Sequence, residues 1–432
     1  MERKIVKSLL NWKGSPGRKP LILSGARQVG KTYIALIFGE RYYKNTVYLN
    51  LEGSSEVQAV FERDLKPERI LRELSVLSGQ SIFPDDTLII FDEIQSCERA
   101  LTSLKYFCEN APEYHIIAAG SLLGVATKRE KYSFPVGKVD RLNLYPLDFE
   151  EFLMASGNDG ICGLIKESFE KFSPLSLHDV ALDLYKVYLV VGGMPEAVLK
   201  YIHTKDFNFV LAAQKSINDA YIADMAKYAT AQETTKIMAA WASIPAQLAK
   251  ENRKFQYKVI KSGARAYEYE MPLNWLSFAG IINKCVRVRE GKLPLVAYGD
   301  NDSFKVYMVD TGLLCSKFGI GANVVLSGAP SFDGFKGALA ENYICQCLTA
   351  NGFTPFYWTS SGKAEVDFVF QDSQGGVIPL EGKSADNVKS KSLRQFVSLY
   401  QPEYSIRVSA KNFGYENGIK SIPLYGLFCL KP

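Results

Sequence analysis

Between residues 20 and 160, short apolar runs alternate with stretches whose apolar residues recur at helical spacing. Leu21-Ile22-Leu23, Thr46–Asn50, Leu88–Phe91 and His115–Ala119 read as strands, and Lys31–Glu40 and Glu68–Ser78 as helices between them. Apolar strands separated by helices predict a parallel sheet covered on both faces, hence an α/β fold. The pattern then changes. Phe149–Leu153 and Val180–Val191 keep a helical period until Gly192-Gly193-Met194-Pro195 breaks it, which predicts a small helical subdomain with a hinge or tight turn at the glycines. The next stretch starts helical, carries a helix at 267–279 and ends on strand-like runs at 281–289 and 304–309, joined by a turn around Gly299–Asp302. Helices followed by a hairpin predict a winged-helix-like segment. A last α/β unit follows, with a helix at 337–350, strands at 354–358, 365–370 and 377–382, a helix at 390–400 and a strand at 404–409. The expected division is 1–147, 148–230, 231–317 and 318–432.

Composition narrows this picture without redirecting it. A chain of 432 residues, 47% apolar and 22% charged, has ordinary globular composition and room for several cores. A net charge of +5 permits a nucleic-acid partner without arguing for one. The N-terminal apolar run is too short for a signal peptide, and no stretch approaches the roughly 20 apolar residues that span a bilayer. A soluble cytoplasmic protein is therefore expected. Eight cysteines with no CxxC and only three histidines argue for buried reduced thiols rather than a structural zinc site.

The first chemical motif is Gly25-Ala26-Arg27-Gln28-Val29-Gly30-Lys31-Thr32, a GxxxxGK[ST] string between a strand and a helix. Its glycines let consecutive backbone N–H groups turn toward phosphate, and the helix N-terminus adds partial positive charge. Lys31 is expected at the β- and γ-phosphates of ATP and Thr32 on Mg²⁺. About 60 residues on, Leu88–Phe91 lifts Asp92 and Glu93 to the end of a buried strand. Asp92 is expected to hold Mg²⁺ and Glu93 to activate the attacking water. The next strand ends at Gly120-Ser121, and Ser121 is the candidate for sensing the γ-phosphate or the water.

The strings GARQVGKT, IIFDEIQ, AAGSLLG, LYPLDFEEF and GGMPEAV, in this order, resemble a bacterial and archaeal family of AAA+-type ATPases with a C-terminal restriction-endonuclease-like domain. YIADMAKYA, KVYMVDTGLL, GALAENYICQCL, YWTSSGKAEVDFVF and PLEGKSA extend the resemblance over nearly the whole chain. The resemblance implies an AAA+ core at 1–147, a helical lid at 148–230, a winged-helix segment at 231–317 and a nuclease-like domain at 318–432. Oligomerisation is part of what it implies. Family members carry Gly-Arg shortly before the LYPL string, and that arginine would serve as a finger to a neighbouring subunit. Here the pair is Gly137-Lys138, which lacks the bidentate fork and leaves Arg141 or Arg129 as substitutes.

In the last unit, Asp367 and the Glu381-Gly-Lys383 triplet resemble the D-(x)n-ExK signature of restriction-endonuclease-like folds. The resemblance assigns Mg²⁺ to Asp367 and Glu381, with Glu341 as a further acidic member and Lys383 beside the scissile phosphate. Cross-strand ion pairing is the competing explanation of the same residues. Basic runs at Arg253–Lys258 and Lys284–Lys292 are candidates for contacting DNA or RNA. Two readings stay open: ATP hydrolysis coupled to binding or cutting nucleic acid, and a nucleotide-controlled switch or partner-docking protein that does not cut.

Overall fold

The computed structural model describes residues 1–121, 134–250, 253–329, 333–360, 364–383 and 391–432. They divide into two compact units, Met1–Tyr145 with Phe278–Gly280, and Pro146–Ser277 with Ile281–Pro432.

The first unit is built on strands β1 (Leu21–Ser24), β2 (Asn45–Asn50), β3 (Thr87–Asp92), β4 (His115–Ala119) and β5 (Asp140–Asn143). Their order is β2-β3-β4-β1-β5 and every pairing is parallel. β3 and β4 are buried along their whole length, as continuous apolar runs in a two-sided sheet require. Helices Ser55–Arg63, Pro67–Ser78 and Glu98–Asn110 pack Phe61, Leu74, Leu104 and Phe107 into the core around β2 and β3. β5 has no counterpart in the sequence-based expectation. It is a four-residue edge strand, Asp-Arg-Leu-Asn, too short and polar to stand out in the pattern. Because all five strands run the same way, Ser24, Asp92 and Ala119 finish at one edge of the sheet, where ligands bind in open α/β folds.

The second unit holds an eight-stranded mixed sheet and a set of helices. Its strands are β6 (Ile282–Val288), β7 (Gly299–Met308), β8 (Phe356–Thr359), β9 (Glu365–Gln371), β10 (Val377–Gly382), β11 (Ser405–Ser409), β12 (Gly414–Glu416) and β13 (Ile419–Pro423), in the order β12-β13-β11-β10-β9-β8-β6-β7. The expectation drew a winged-helix segment closing at residue 317. Helices Ala231–Leu248 and Ala266–Phe278 do precede the β6–β7 hairpin, but β6 pairs in parallel with β8 from Val286–Phe356 to Val288–Trp358. The hairpin is therefore an edge of the C-terminal sheet. Nothing local in the sequence signals a pairing between strands about 70 residues apart.

The glycine break folds as a clamped turn. Gly192 N–H donates to Tyr188 O at 2.7 Å, Gly193 N–H to Asp310 Oδ2 at 2.6 Å, and Leu147 N–H to Gly193 O at 2.7 Å. A Cβ on Gly193 would lie 1.9 Å from Leu147 O, so only glycine fits. Of the two expectations for this segment, the tight turn is what these bonds make. Asp310 also caps the helix Thr311–Phe318 through Leu313 N–H at 2.9 Å.

None of the eight cysteines is in a disulfide, and six of them are buried. Among the described residues no helix is long and apolar enough to cross a membrane.

Candidate active site

The phosphate loop bridges β1 and the helix Lys31–Tyr42. Gly25 has φ +147°, and a Cβ there would sit 2.1 Å from Leu144 O, the residue just past β5. Gln28, at φ 65°, and Gly30, at φ 94°, complete a curled backbone. Left-handed Gln28 is the kind of local strain that persists where the surroundings hold a functional loop. Lys31 is buried, and its Nζ donates to Gly25 O at 3.0 Å and Ala26 O at 2.8 Å, which puts the ammonium inside the curl. Arg3 reaches into the same region from the N-terminus, donating to Val29 O at 3.1 Å and Tyr145 O at 2.6 Å, and braces the loop from behind.

The two motifs meet directly. Thr32 Oγ1 donates to Asp92 Oδ2 at 2.9 Å, so the hydroxyl and carboxylate assigned to one cation lie side by side. Tyr48, from β2, donates to the same Oδ2 at 2.9 Å, and Glu93 N–H donates to Oδ1 at 3.1 Å. Burial, followed by this bond to Asp92, pushes the Tyr48 phenol up to about 12, so it remains a donor across physiological pH. Glu93 follows β3 in a left-handed conformation, φ 51° and ψ 43°, and its carboxylate accepts from the Gln95 amide. Ser121 is buried just beyond β4, the strand between β1 and β3. Tyr48 and Gln95 were not foreseen. An exposed-side tyrosine on β2 carries no motif, and only the strand order brings it to Asp92.

Tyr48→Phe deletes one charge-assisted bond to Asp92, worth on the order of 1–2 kcal/mol. The Mg²⁺ concentration for half-maximal ATP turnover is expected to rise by up to about tenfold, with kcat little changed. An unaltered Mg²⁺ requirement would show the bond to be incidental.

The candidates for a trans-acting finger are occupied or out of view. Lys138 pairs with Glu109 at 2.9 Å, Arg141 lies 4.4 Å over the Phe134 ring, and Arg129 lies outside the described residues.

In the second unit the expected acidic residues Glu341, Asp367 and Glu381 lie among basic side chains. Glu341, on the helix Asp333–Ala350, pairs with the Arg253 guanidinium, accepts from Tyr307 OH at 3.0 Å and lies 3.7 Å from Lys305 Nζ. Lys305 Nζ also lies 2.6 Å from Glu365 Oε1. Lys383 Nζ contacts Glu381 Oε1 at 2.7 Å, and Asp367 Oδ2 accepts from Gly382 N–H at 2.9 Å. Burial raises the Asp367 carboxyl above its usual range; Lys305 and Lys383 oppose the rise and the Glu381 charge adds to it. Asp367, Glu381 and Lys383 are thus within electrostatic reach of one another, and the second Glu381 oxygen, Oε2, is buried with no hydrogen-bond partner. The β9–β10 ladder stops at Leu380–Phe368, short of the Glu381–Asp367 position, and the neighbouring β8–β9 ladder shifts register. Among the described residues, no three or more His, Cys, Asp or Glu side chains converge as a metal site. The oxygens of Glu341, expected on a metal, are engaged by Arg253, Tyr307 and Lys305.

The basic runs are also largely engaged within the unit. Arg253 is held by Glu341, Arg287 and Arg289 pair with Asp300, Lys292 pairs with Glu290, and Lys284 lies 4.1 Å over the Phe304 ring.

Residues 17–153 match the family model described as an AAA domain. Residues 182–323 and 336–427 match two further models, each described as a domain of unknown function, DUF8612 and DUF4143. The first unit is accordingly similar to AAA-type ATPase domains. Similar solved structures include a Walker-type ATPase of Pyrococcus abyssi, with 15% identity, a TM-score of 0.45 and coverage of 73% of this chain and 95% of that one. The ORC1 protein of Aeropyrum pernix in complex with DNA has 14% identity, a TM-score of 0.30 and coverage of 76% and 91%. The RuvB Holliday junction branch migration motor of Thermotoga maritima has 15% identity, a TM-score of 0.31 and coverage of 65% and 89%. At these scores the neighbours assign no substrate or partner to this chain. No curated protein matches the sequence.

Proposed function

We propose that the protein is a Mg²⁺-dependent ATPase whose nucleotide state controls a second unit that docks a partner, without phosphodiester cutting. The observation that carries the ATPase reading is the Thr32–Asp92 contact at 2.9 Å, which joins the two nucleotide motifs through side-chain oxygens. Hydroxyl and carboxylate oxygens suit Mg²⁺, so Thr32 and Asp92 fit the cation that the domain class implies. Bound there, Mg²⁺ would neutralise charge on the β- and γ-phosphates. The chain's own groups do the rest. Backbone N–H groups of the curled loop bind phosphate oxygens, and Lys31 supplies the fixed positive charge among them. Glu93 accepts the proton of the attacking water, and Ser121 orients the water or the γ-phosphate by hydrogen bonding. The docking part rests on the second unit, where Glu341, Glu381 and Lys383 among the side chains proposed for cutting, and Arg253, Arg287, Arg289 and Lys292 among those proposed for nucleic-acid contact, are engaged in internal ion pairs.

The test is ATP binding and turnover by the full chain and by Lys31→Ala. Loss of the ammonium from the loop is expected to weaken ATP binding by about 100-fold or more, since charge-assisted contacts to phosphate contribute several kcal/mol together. A wild-type chain with no Mg²⁺-dependent ATPase, or a Lys31→Ala chain with undiminished binding, would remove the proposal. Turnover that rises only with added DNA or RNA would return nucleic acid as the partner.

A further inference from the structure

Lys305 lies in the middle of β7 with 1% of its side chain exposed. A lysine that buried requires partners, because an isolated ammonium in an apolar interior costs several kcal/mol. Its partners are the acidic side chains around the proposed metal site. Nζ is 2.6 Å from Glu365 Oε1, 3.7 Å from Glu341 Oε2 and 5.1 Å from the Tyr357 ring centre. It also acts on the Asp367 carboxyl, where it is the strongest force favouring ionisation. Four carboxylates, Glu341, Glu365, Asp367 and Glu381, thus share three cationic side chains, Arg253, Lys305 and Lys383. Divalent cations are drawn to carboxylates that lack a counter-charge. In this cluster the counter-charge is part of the chain.

We propose that the Lys305 ammonium is the resident cation of this cluster, occupying by side chain the role that a divalent metal takes in restriction-endonuclease-like sites, so that the unit is held together and functions without metal. Lys305 comes from the β6–β7 hairpin, while Glu365 lies on β9 and Glu341 on a helix that follows β7. The ion pairs therefore latch the hairpin to the rest of the C-terminal sheet. The site implied by the resemblance becomes a structural latch in a docking unit. The one feature that points the other way is the unpartnered Glu381 Oε2, and the experiment addresses it.

Mn²⁺ binding is measured by electron paramagnetic resonance on the full chain, without nucleotide, in an Asp92→Asn background that removes the nucleotide-site carboxylate. With Lys305 intact, no Mn²⁺ should bind at free concentrations up to about 1 mM, the weak end of hard-cation sites. Lys305→Ala should lower the melting temperature, gain one Mn²⁺ per chain and recover part of the lost melting temperature when Mn²⁺ is added. Lys305→Arg should gain none, and Glu365→Gln combined with Lys305→Ala should lose the gained site. Mn²⁺ binding by the Lys305-containing chain that disappears in Asp367→Asn would overturn the proposal. A folded Lys305→Ala chain that gains no Mn²⁺ would overturn it equally. If Lys305→Ala does not fold, the binding measurement on the Lys305-containing chain and its Asp367→Asn variant decides alone.

Discussion

Glu93→Gln should bind ATP as the wild type does and turn it over about 10²–10⁴-fold more slowly, the usual contribution of a positioned general base. The amide has the shape of the carboxylate but does not take up the proton that the water releases. The backbone supports a specific role for this side chain, since Glu93 is held left-handed at φ 51° directly after the strand that ends in Asp92. Gln95 donates to the Glu93 carboxylate in the structure, so the substitution also replaces one acceptor by an amide that must turn its oxygen toward Gln95. Single-turnover hydrolysis, together with equilibrium binding of a fluorescent ATP analogue, separates the two effects. Comparable turnover by Glu93→Gln and wild type would transfer the role of base to another group.

The second large effect is expected at the clamp formed by Gly192-Gly193 and Asp310. Asp310 is fully buried, and its carboxylate accepts from Gly193 N–H at 2.6 Å and Leu313 N–H at 2.9 Å. Asp310→Ala strands both buried donors, at about 1–3 kcal/mol each, so a loss of roughly 3–5 kcal/mol in the stability of the second unit is expected. Gly193→Ala should be at least as harmful, because its Cβ would meet the Leu147 backbone oxygen at 1.9 Å. Urea denaturation followed by tryptophan fluorescence measures both; a loss under about 1 kcal/mol for either would show the clamp to be dispensable.

Asp310 also predicts a pH dependence. Burial raises its carboxyl to about 6 from the usual 3.8, against the pull of the backbone N–H groups of Gly193, Leu313 and Gly312. The folded chain therefore binds this proton more tightly than the unfolded chain. The resulting contribution to stability is complete below the unfolded value and is lost as pH rises through about 6, a change of roughly 3 kcal/mol. Asp310→Asn should remove this component, so the stability of wild type relative to the variant should fall between about pH 4 and 7 and stay level above it.

How much of this was legible in the sequence differs between the two units. The phosphate loop and the Asp92-Glu93 pair were readable because each depends on local geometry: a glycine that must turn, a helix that must begin, and an apolar run that must end in acid. The parallel β1–β4 core followed from the same runs. In the second unit most elements were also anticipated within a few residues, including β9, β10 and the helix that ends at Ala350. Their partners were not. The β6–β7 hairpin looked like a wing because hairpins are local, whereas its pairing with β8 joins distant segments and leaves no periodic trace.

The charged residues follow the same division. Sequence spacing marked Asp367, Glu381 and Lys383 as a group, since they lie on consecutive strands. It gave no warning that Glu341 would be taken by Arg253 and Tyr307. Lys305 carries a signal of a different kind. Lys305 stands alone among Phe304, Val306, Tyr307 and Met308, in a strand whose last six residues are all buried. A lysine in that position has to meet carboxylates from other strands or helices, so the sequence by itself determined that a buried counter-charge must exist. Only the tertiary structure decided which carboxylates supply it, because ion pairing acts through space over a few ångströms and is indifferent to separation along the chain.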